Sequence, residues 1–259
     1  MNPLFESAGI ETADVLSALE AFDEASADLL DARALLRRVD RKYLMSRQGL
    51  NDFLAHLRAD YRAIRTAGRL AARYHTHYFD TPDRQMYHDH RRGRLPRYKV
   101  RARHHVDRGM SFLEIKRKKG DGRTVKSVLN RPFGADGLDQ EALRFIAEHC
   151  PIDGAMLMPR ASIDFHRATL VGEQVDERVT VDLNLELFDD ERRECLPSVV
   201  IVEIKQGRFS SHTPAVQALR ALHVREGSVS KYCLATAKLA LVRTNTFRPA
   251  LMAVERLSA

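Results

Sequence analysis

There is no tryptophan in this 259-residue chain, and its three cysteines, Cys150, Cys195 and Cys233, form no Cys-x-x-Cys pair. Cysteines so few and so far apart exclude a disulfide framework and a cysteine-rich zinc site, and they suit a reducing compartment. Nowhere does an apolar run reach the roughly 18 residues that a membrane span needs. The opening stretch MNPLFESAGIETAD is acidic and has no apolar core, so it does not read as a signal peptide. Linkers, low-complexity tracts and tandem repeats are missing as well. Gly120-Asp121-Gly122 lacks the spacing and the Lys-Ser/Thr ending of a P-loop, and reads as a turn. These absences leave a soluble, cytoplasmic, single-domain chain without a span of its own.

What is present is charge. Lys and Arg outnumber Asp and Glu by 42 to 35, giving a net charge of +7. Such an excess attracts anionic partners, whether nucleic acid, acidic lipid or phosphate compounds. Apolar residues make up 44% of the chain, enough for a sizeable core.

Periodicity predicts a helix over 13–36, a strand over 37–46, and a helix after Ser46 whose Leu50, Phe53, Leu54 and Leu57 share one face. ARYHTHYFDT (72–81) reads as a strand, followed by a short helix ended by Gly93. RYKVRARHHV and SFLEIKRKK form a hairpin turning near Gly109, and RTVKSVL continues after the Gly120-Asp121-Gly122 turn. A helix over 139–149, three further strands (RASIDFHRATLVG, ERVTVDLNLELF, PSVVIVEIKQG), a helix over 213–224 and SKYCLATAKLALV complete the pattern. The fold class is α+β, dominated by antiparallel sheet.

Side chains alternate faces along a strand. Lys99, Arg101 and Arg103 share a face opposite Val100 and Ala102, and Glu114, Lys116 and Lys118 oppose Leu113 and Ile115. Arg178, Thr180, Asp182, Asn184 and Glu186 oppose Val179, Val181, Leu183, Leu185 and Leu187. Glu203 and Lys205 oppose Val202 and Ile204, and Asp40 and Lys42 share a face. One such strand is an ordinary solvated face; several together predict a closed sheet with its charged face inward and its apolar face under helices. Clustered Lys and Arg repel one another unless a dense anion lies among them, and oligophosphate is dense. The interspersed carboxylates suit a hard divalent cation such as Mg²⁺ or Mn²⁺.

The words themselves then become familiar. RVDRKYLMS, HTHYFDTPDRQMY, RYKVRARHH, SFLEIKRKKGDGRTVKSVL, FHRATL, VTVDLNL, VIVEIK and VSKYCL run in the order of the motifs of the VTC domain, the catalytic module of the vacuolar transporter chaperone complex. The chain resembles a stand-alone, bacterial-type member of that family. The resemblance implies the triphosphate tunnel metalloenzyme fold, a closed eight-stranded antiparallel β tunnel with a charged lumen. On it, residues 1–36 are a helical segment packed on the tunnel, 37–245 the tunnel domain and 246–259 a C-terminal tail.

The activity implied is a polyphosphate polymerase that transfers the γ-phosphoryl of ATP to inorganic polyphosphate, releases ADP and uses Mn²⁺ or Mg²⁺. By matching motif, Lys42 is the catalytic tunnel-wall lysine, and Arg101, Arg103, Lys116, Lys126, Arg167 and Lys231 bind phosphates. Lys99, Lys118 and Lys205 join them on the same strand faces. Glu203 is the principal metal ligand, with Glu114, Asp182 and Asp40 beside it. Asp40 stands where Glu is usual and Phe165 where Tyr is usual. No phosphate-sensing helical domain precedes the motifs and no membrane helices follow, which leaves a membrane protein partner to accept product.

A triphosphate or nucleoside triphosphate hydrolase of the same superfamily would open on Glu-x-Glu-x-Lys, whereas Arg38 holds the first position here. A non-catalytic polyphosphate-binding subunit would have lost Glu203 or the key arginines, and both are present. Arg91-Arg92-Gly93-Arg94 and Arg117-Lys118-Lys119 read as solvated loops, with too few aromatics beside them for nucleic acid to be the main ligand. His75 and His77 share a strand face, but no third ligand of matching spacing follows, so spacing defines no zinc site. His104-His105 reads as the end of a basic strand. Tyr43, Tyr78 and Phe79 read as core or tunnel-mouth packing.

Overall fold

The computed structural model describes residues 13–33 and 39–258. The helix expected over 13–36 is two shorter ones, α1 (Ala13–Glu20) and α2 (Ala27–Ala32). Residues 34–36, Arg37 and Arg38 of the opening motif, and all but the last two residues of the acidic N-terminal stretch lie outside the described residues. Then come β1 (Val39–Ser46), α3 (Gln48–Leu57), β2 (Tyr61–Ala63), β3 (Ala71–Asp80) and α4 (Gln85–Arg91). β4 (Arg97–His105), β5 (Met110–Lys118), β6 (Thr124–Arg131) and α5 (Gln140–His149) follow. The chain continues through β7 (Met158–Gly172), β8 (Glu177–Phe188), β9 (Arg193–Leu196) and β10 (Val199–Gln206). It ends in α6 (Pro214–Ala221), α7 (Lys231–Leu239) and α8 (Arg248–Ser258), the last a helix where the sequence pattern reads as tail.

All strands pair antiparallel in the order β1-β10-β8-β7-β3-β4-β5-β6, with β2 added to β7 and β9 to β8. This corrects the expected closed eight-stranded tunnel: the sheet has ten strands, and among the described residues no ladder joins β1 to β6. The reason lies at the two edges. The free side of β1 is taken by the 226–227 segment, which bridges Tyr43 through Glu226 and donates the Gly227 N–H to the Lys42 carbonyl at 2.8 Å. β6 is mostly exposed and polar, and a charged, solvated edge resists further pairing.

The apolar parities lie under helices. Leu50, Phe53, Leu54 and Leu57 of α3 are buried together with Val179, Val181, Leu183, Val200, Val202 and Ile204, joined by α1 and α6. Each fully buried Leu or Phe there contributes about 1.5–3 kcal/mol of transfer free energy. Val100, Ala102, Leu113 and Ile115 pack under Ala142 and Ile146 of α5.

The opposite, concave face is charged over only half its length. Beyond Glu203 on the same parity of β10 come Ile201 and Val199, which join Phe165, Ile163, Leu185, Leu187 and Tyr78 in a core filled by α7 and α8. β8 changes parity at Asn184, whose φ of 52° breaks the alternation. Asn184 and Glu186 therefore leave the face of Asp182, contrary to the strict alternation expected. Asn184 instead accepts from Arg47 at 3.1 Å, and Glu186 pairs with Arg193.

Candidate functional site

Three carboxylates sit on the charged half of the concave face, each between two cations. Glu114 accepts from Arg101 Nε at 2.6 Å and from Lys126 Nζ at 2.9 Å. Asp182 accepts from Arg167 Nε and Nη2 at 2.5 and 2.7 Å and from Lys231. Glu203 accepts from Lys205 Nζ at 2.6 Å, and Lys42 Nζ lies 3.2 Å from its other oxygen. Burial pushes all three carboxyls up, but the adjoining cations outweigh it and hold them below the usual range.

Register aligns like charges across strands. Lys99, Lys116 and Lys126 stand side by side on β4, β5 and β6. Like charges directly opposite destabilise a sheet. Lys116 shows the consequence: the Arg101 charge, burial and the Arg103 charge together lower its ammonium well below the ordinary lysine range. Burial, then the neighbouring Lys42 charge among others, lowers Lys99, whose Nζ donates to Ser230 Oγ at 2.7 Å. Burial lowers Lys205 to about 8 and Arg103 to about 10, with Arg101 adding to the latter. Burial and the Arg167 charge lower Lys231 despite its pairing with Asp182.

The sheet curls enough to bring its two wings together. β10 and β5 are five strands apart in the order, roughly 24 Å on a flat sheet. Yet the Glu203 charge reaches Lys116, and the Lys42 charge reaches Lys99. Lys42, Lys99, Arg101, Arg103, Lys116, Lys126, Arg167, Lys205 and Lys231 thus surround one concavity. Asp40 lies opposite Lys205 at the exposed start of β1, and Lys118 lies opposite Arg97 at the rim. Among the described residues, no three carboxylates converge in this concavity.

Aromatic rings underlie the cations, which the sequence pattern did not place there. The Phe165 ring has Lys231, Arg167 and Arg103 at 4.7, 5.4 and 5.9 Å, and it stacks on Tyr74. Tyr78 accepts from Arg101 at 3.1 Å. Tyr43 and Phe79 are core, as expected. Tyr78, expected with them as core or tunnel-mouth packing, is buried in the core beside Phe165, and the β3–β4 register places it opposite Arg101. Asp80 of the Tyr-Phe-Asp-Thr segment is structural: it is fully buried and accepts from the N–H groups of Met86 and Tyr87 at 2.9 and 3.0 Å and from the Tyr232 hydroxyl.

The concavity of this curled antiparallel sheet is dominated by cations. The chain belongs to the VTC domain family, whose model matches residues 37–132 and 141–240. No curated protein sequence matches it. Among solved structures it is similar to a candidate adenylate cyclase of Bacillus halodurans, at 15% identity and a TM-score of 0.48, over 78% of this chain and 96% of that one. It is also similar to a candidate adenylyl cyclase of Hippeastrum with a dominant triphosphatase activity, at 11% identity and a TM-score of 0.47, over 80% and 98%. A Pyrococcus horikoshii protein aligns at 11% identity and a TM-score of 0.44, over 77% and 96%. No helix among the described residues is long and apolar enough to cross a membrane.

Proposed function

We propose that this protein is a cytoplasmic, metal-dependent polyphosphate polymerase that transfers the γ-phosphoryl of ATP to a growing chain and releases ADP. The observation that carries this reading is the aligned row Lys99–Lys116–Lys126 beside Arg101 and Arg103. Such a row is relieved by an anion with closely spaced charges. A polyphosphate places one charge per phosphate along its length and meets several cations at once.

The donors fit a hard divalent cation. Mg²⁺ and Mn²⁺ are commonly held by one or two carboxylates together with substrate phosphates rather than by an all-protein cage. Carboxylates that do not converge match that habit. Glu203 is the first ligand, with Asp182, Glu114 or Asp40 next, and the ion would supply charge neutralisation on the terminal phosphates. Arg101, Arg103, Lys116 and Lys126 bind and orient the phosphates and spread the charge that develops in transfer. Lys42 positions the reacting γ-phosphoryl, and Arg167, Lys205 and Lys231 hold the acceptor chain, with Lys99 continuing the row of Lys116 and Lys126 and Lys118 toward the rim. Positioning and charge stabilisation supply most of phosphoryl-transfer catalysis.

The test is incubation of the pure protein with ATP and Mn²⁺, gel separation of any polyphosphate, and quantitation of ADP. A ladder of chains with one ADP per phosphate added is expected. Free phosphate without chains would move the activity to hydrolysis, and tight polyphosphate binding without turnover would make the protein a binding subunit.

A pH dependence follows from the depressed lysines. Lys205 sits at about 8 for want of sufficient counter-charge, so a bound anion favours its protonated form and binding takes up protons. Affinity for a long polyphosphate is greatest below about pH 8. It falls as pH rises through that value, by roughly tenfold per pH unit for each proton taken up. Calorimetric titrations between pH 7 and 9.5 test this, and a flat affinity would contradict it.

A further inference from the structure

On the outer face of the sheet, between the region covered by α3 and α6 and that covered by α5, lies a polar cluster that the concavity does not use. His75 and His77 share that face of β3. His104 on β4 stands directly opposite His75, and Asp164 and Ser162 on β7 stand opposite His75 and His77 on the other side. The loop after β6 lays Asp136 over the group. Its Oδ1 lies 2.6 Å from His104 Nε2 and 3.3 Å from His77 Nε2, and His75 Nε2 lies 2.7 Å from His77 Nε2.

Each ring is held from behind. His75 Nδ1 bonds the Asp164 carboxylate, His77 Nδ1 meets Ser162 Oγ at 2.7 Å, and His104 Nδ1 meets Ser111 Oγ at 2.6 Å. Ser111 Oγ also accepts the Gly134 N–H at 3.0 Å, so the loop that carries Asp136 is tied to the same serine. With every Nδ1 engaged, the Nε2 atoms of His77 and His104 turn toward one carboxylate oxygen of Asp136, while His75 Nε2 meets His77 Nε2. This is how partners of the second nitrogen orient metal-binding histidines.

We infer that His77, His104 and Asp136 bind a zinc-type divalent transition metal in a site distinct from the phosphate concavity, with His75 packed against His77. Two imidazole nitrogens and one carboxylate oxygen fill three of the four tetrahedral positions and leave the fourth to water, and imidazole selects zinc over the hard Mg²⁺ expected with phosphate. The ligand atoms of His77, His104 and Asp136 all lie within 4.8 Å of one another. A tetrahedral centre with bonds near 2.0–2.1 Å spaces its ligands roughly 3.3 Å apart; the His77–Asp136 separation of 3.3 Å already fits, and the His104–Asp136 contact of 2.6 Å opens by about 0.7 Å on binding. His104 and His75 are 0% and 3% exposed, whereas the Asp136 side chain is 37% exposed. The ion therefore enters from the loop side. The ion ties β3, β4 and the 132–139 loop together on the back of the strand that carries Arg101 and Arg103.

The test uses the full, untagged chain, stripped with chelator, dialysed and titrated with ZnCl₂ in the presence of excess Mg²⁺. One zinc per chain should survive gel filtration, Co²⁺ should give the intense visible bands of a four-coordinate site, and saturating zinc should raise Tm by roughly 5 °C or more. Asp136→Asn, on its exposed loop, and His77→Ala should lose the retained zinc and the Tm rise, while Glu203→Gln keeps both. If His77→Ala does not fold, Asp136→Asn decides alone, with its chelated Tm compared with that of the chelated parent. A parent that holds no zinc, zinc retained by Asp136→Asn, or zinc lost only in Glu203→Gln would each overturn the site.

Discussion

Glu203→Gln is expected to cut ATP-dependent turnover by roughly a hundred- to a thousandfold, the usual cost of removing one preorganised electrostatic contact to a developing charge. The substitution keeps the shape and removes the charge. Glu203 lies between Lys42 and Lys205, and it is the carboxylate whose field reaches across the concavity to Lys116. Its loss removes the proposed metal ligand, so dependence on Mn²⁺ should weaken together with turnover. It also removes a charge that keeps Lys205 protonated against burial, so the fall in polyphosphate affinity should begin below pH 8. Lys42→Ala is the companion: turnover should fall to a similar degree while the metal concentration for half-maximal residual activity stays unchanged. Metal-stimulated turnover retained in Glu203→Gln would place the ligand elsewhere.

Asp182→Ala carries the largest expected effect on stability. The carboxylate is 1% exposed and joins Arg167 of β7 to Lys231 at the start of α7. Removing one partner of a buried ionic group costs about 3–5 kcal/mol, because the remaining charges keep their burial and lose their compensation. Here two cations would be left facing each other over the Phe165 ring. For a chain of this size the loss corresponds to a fall in Tm of roughly 10 °C. If a phosphate chain occupies the concavity, it can supply the missing charge. Added polyphosphate should then raise the Tm of Asp182→Ala by more than it raises that of the parent. An equal or smaller rise would separate Arg167 and Lys231 from the anion path.

Much of this architecture can be read locally. The alternation of Lys99, Arg101 and Arg103 with Val100 and Ala102 places cations on one face whatever the strand's neighbours are. The spacing of Leu50, Phe53, Leu54 and Leu57 likewise defines the buried stripe of α3. The parity change at Asn184 was not legible, because ERVTVDLNLELF alternates without a break while the backbone at Asn184 takes a positive φ. Nor was the open seam, since the segment that occupies the edge of β1 lies far along the chain at Glu226 and Gly227. The histidine cluster shows the same limit. His75 and His77 announce themselves by spacing, but His104 and Asp136 join them only through the β3–β4 register and the return of the loop after β6.

The sequence by itself therefore determined which residues are charged, which strand face each takes except past Asn184 on β8, and the family to which their order belongs. Side-chain alternation and helical spacing are properties of a few consecutive residues. The tertiary structure decided which charges meet: Glu203 with Lys42, Asp182 with both Arg167 and Lys231, and three lysines in one row. Those meetings depend on strand order, register and curl, which arise from pairings between residues far apart in the chain and leave no mark in any short stretch of it.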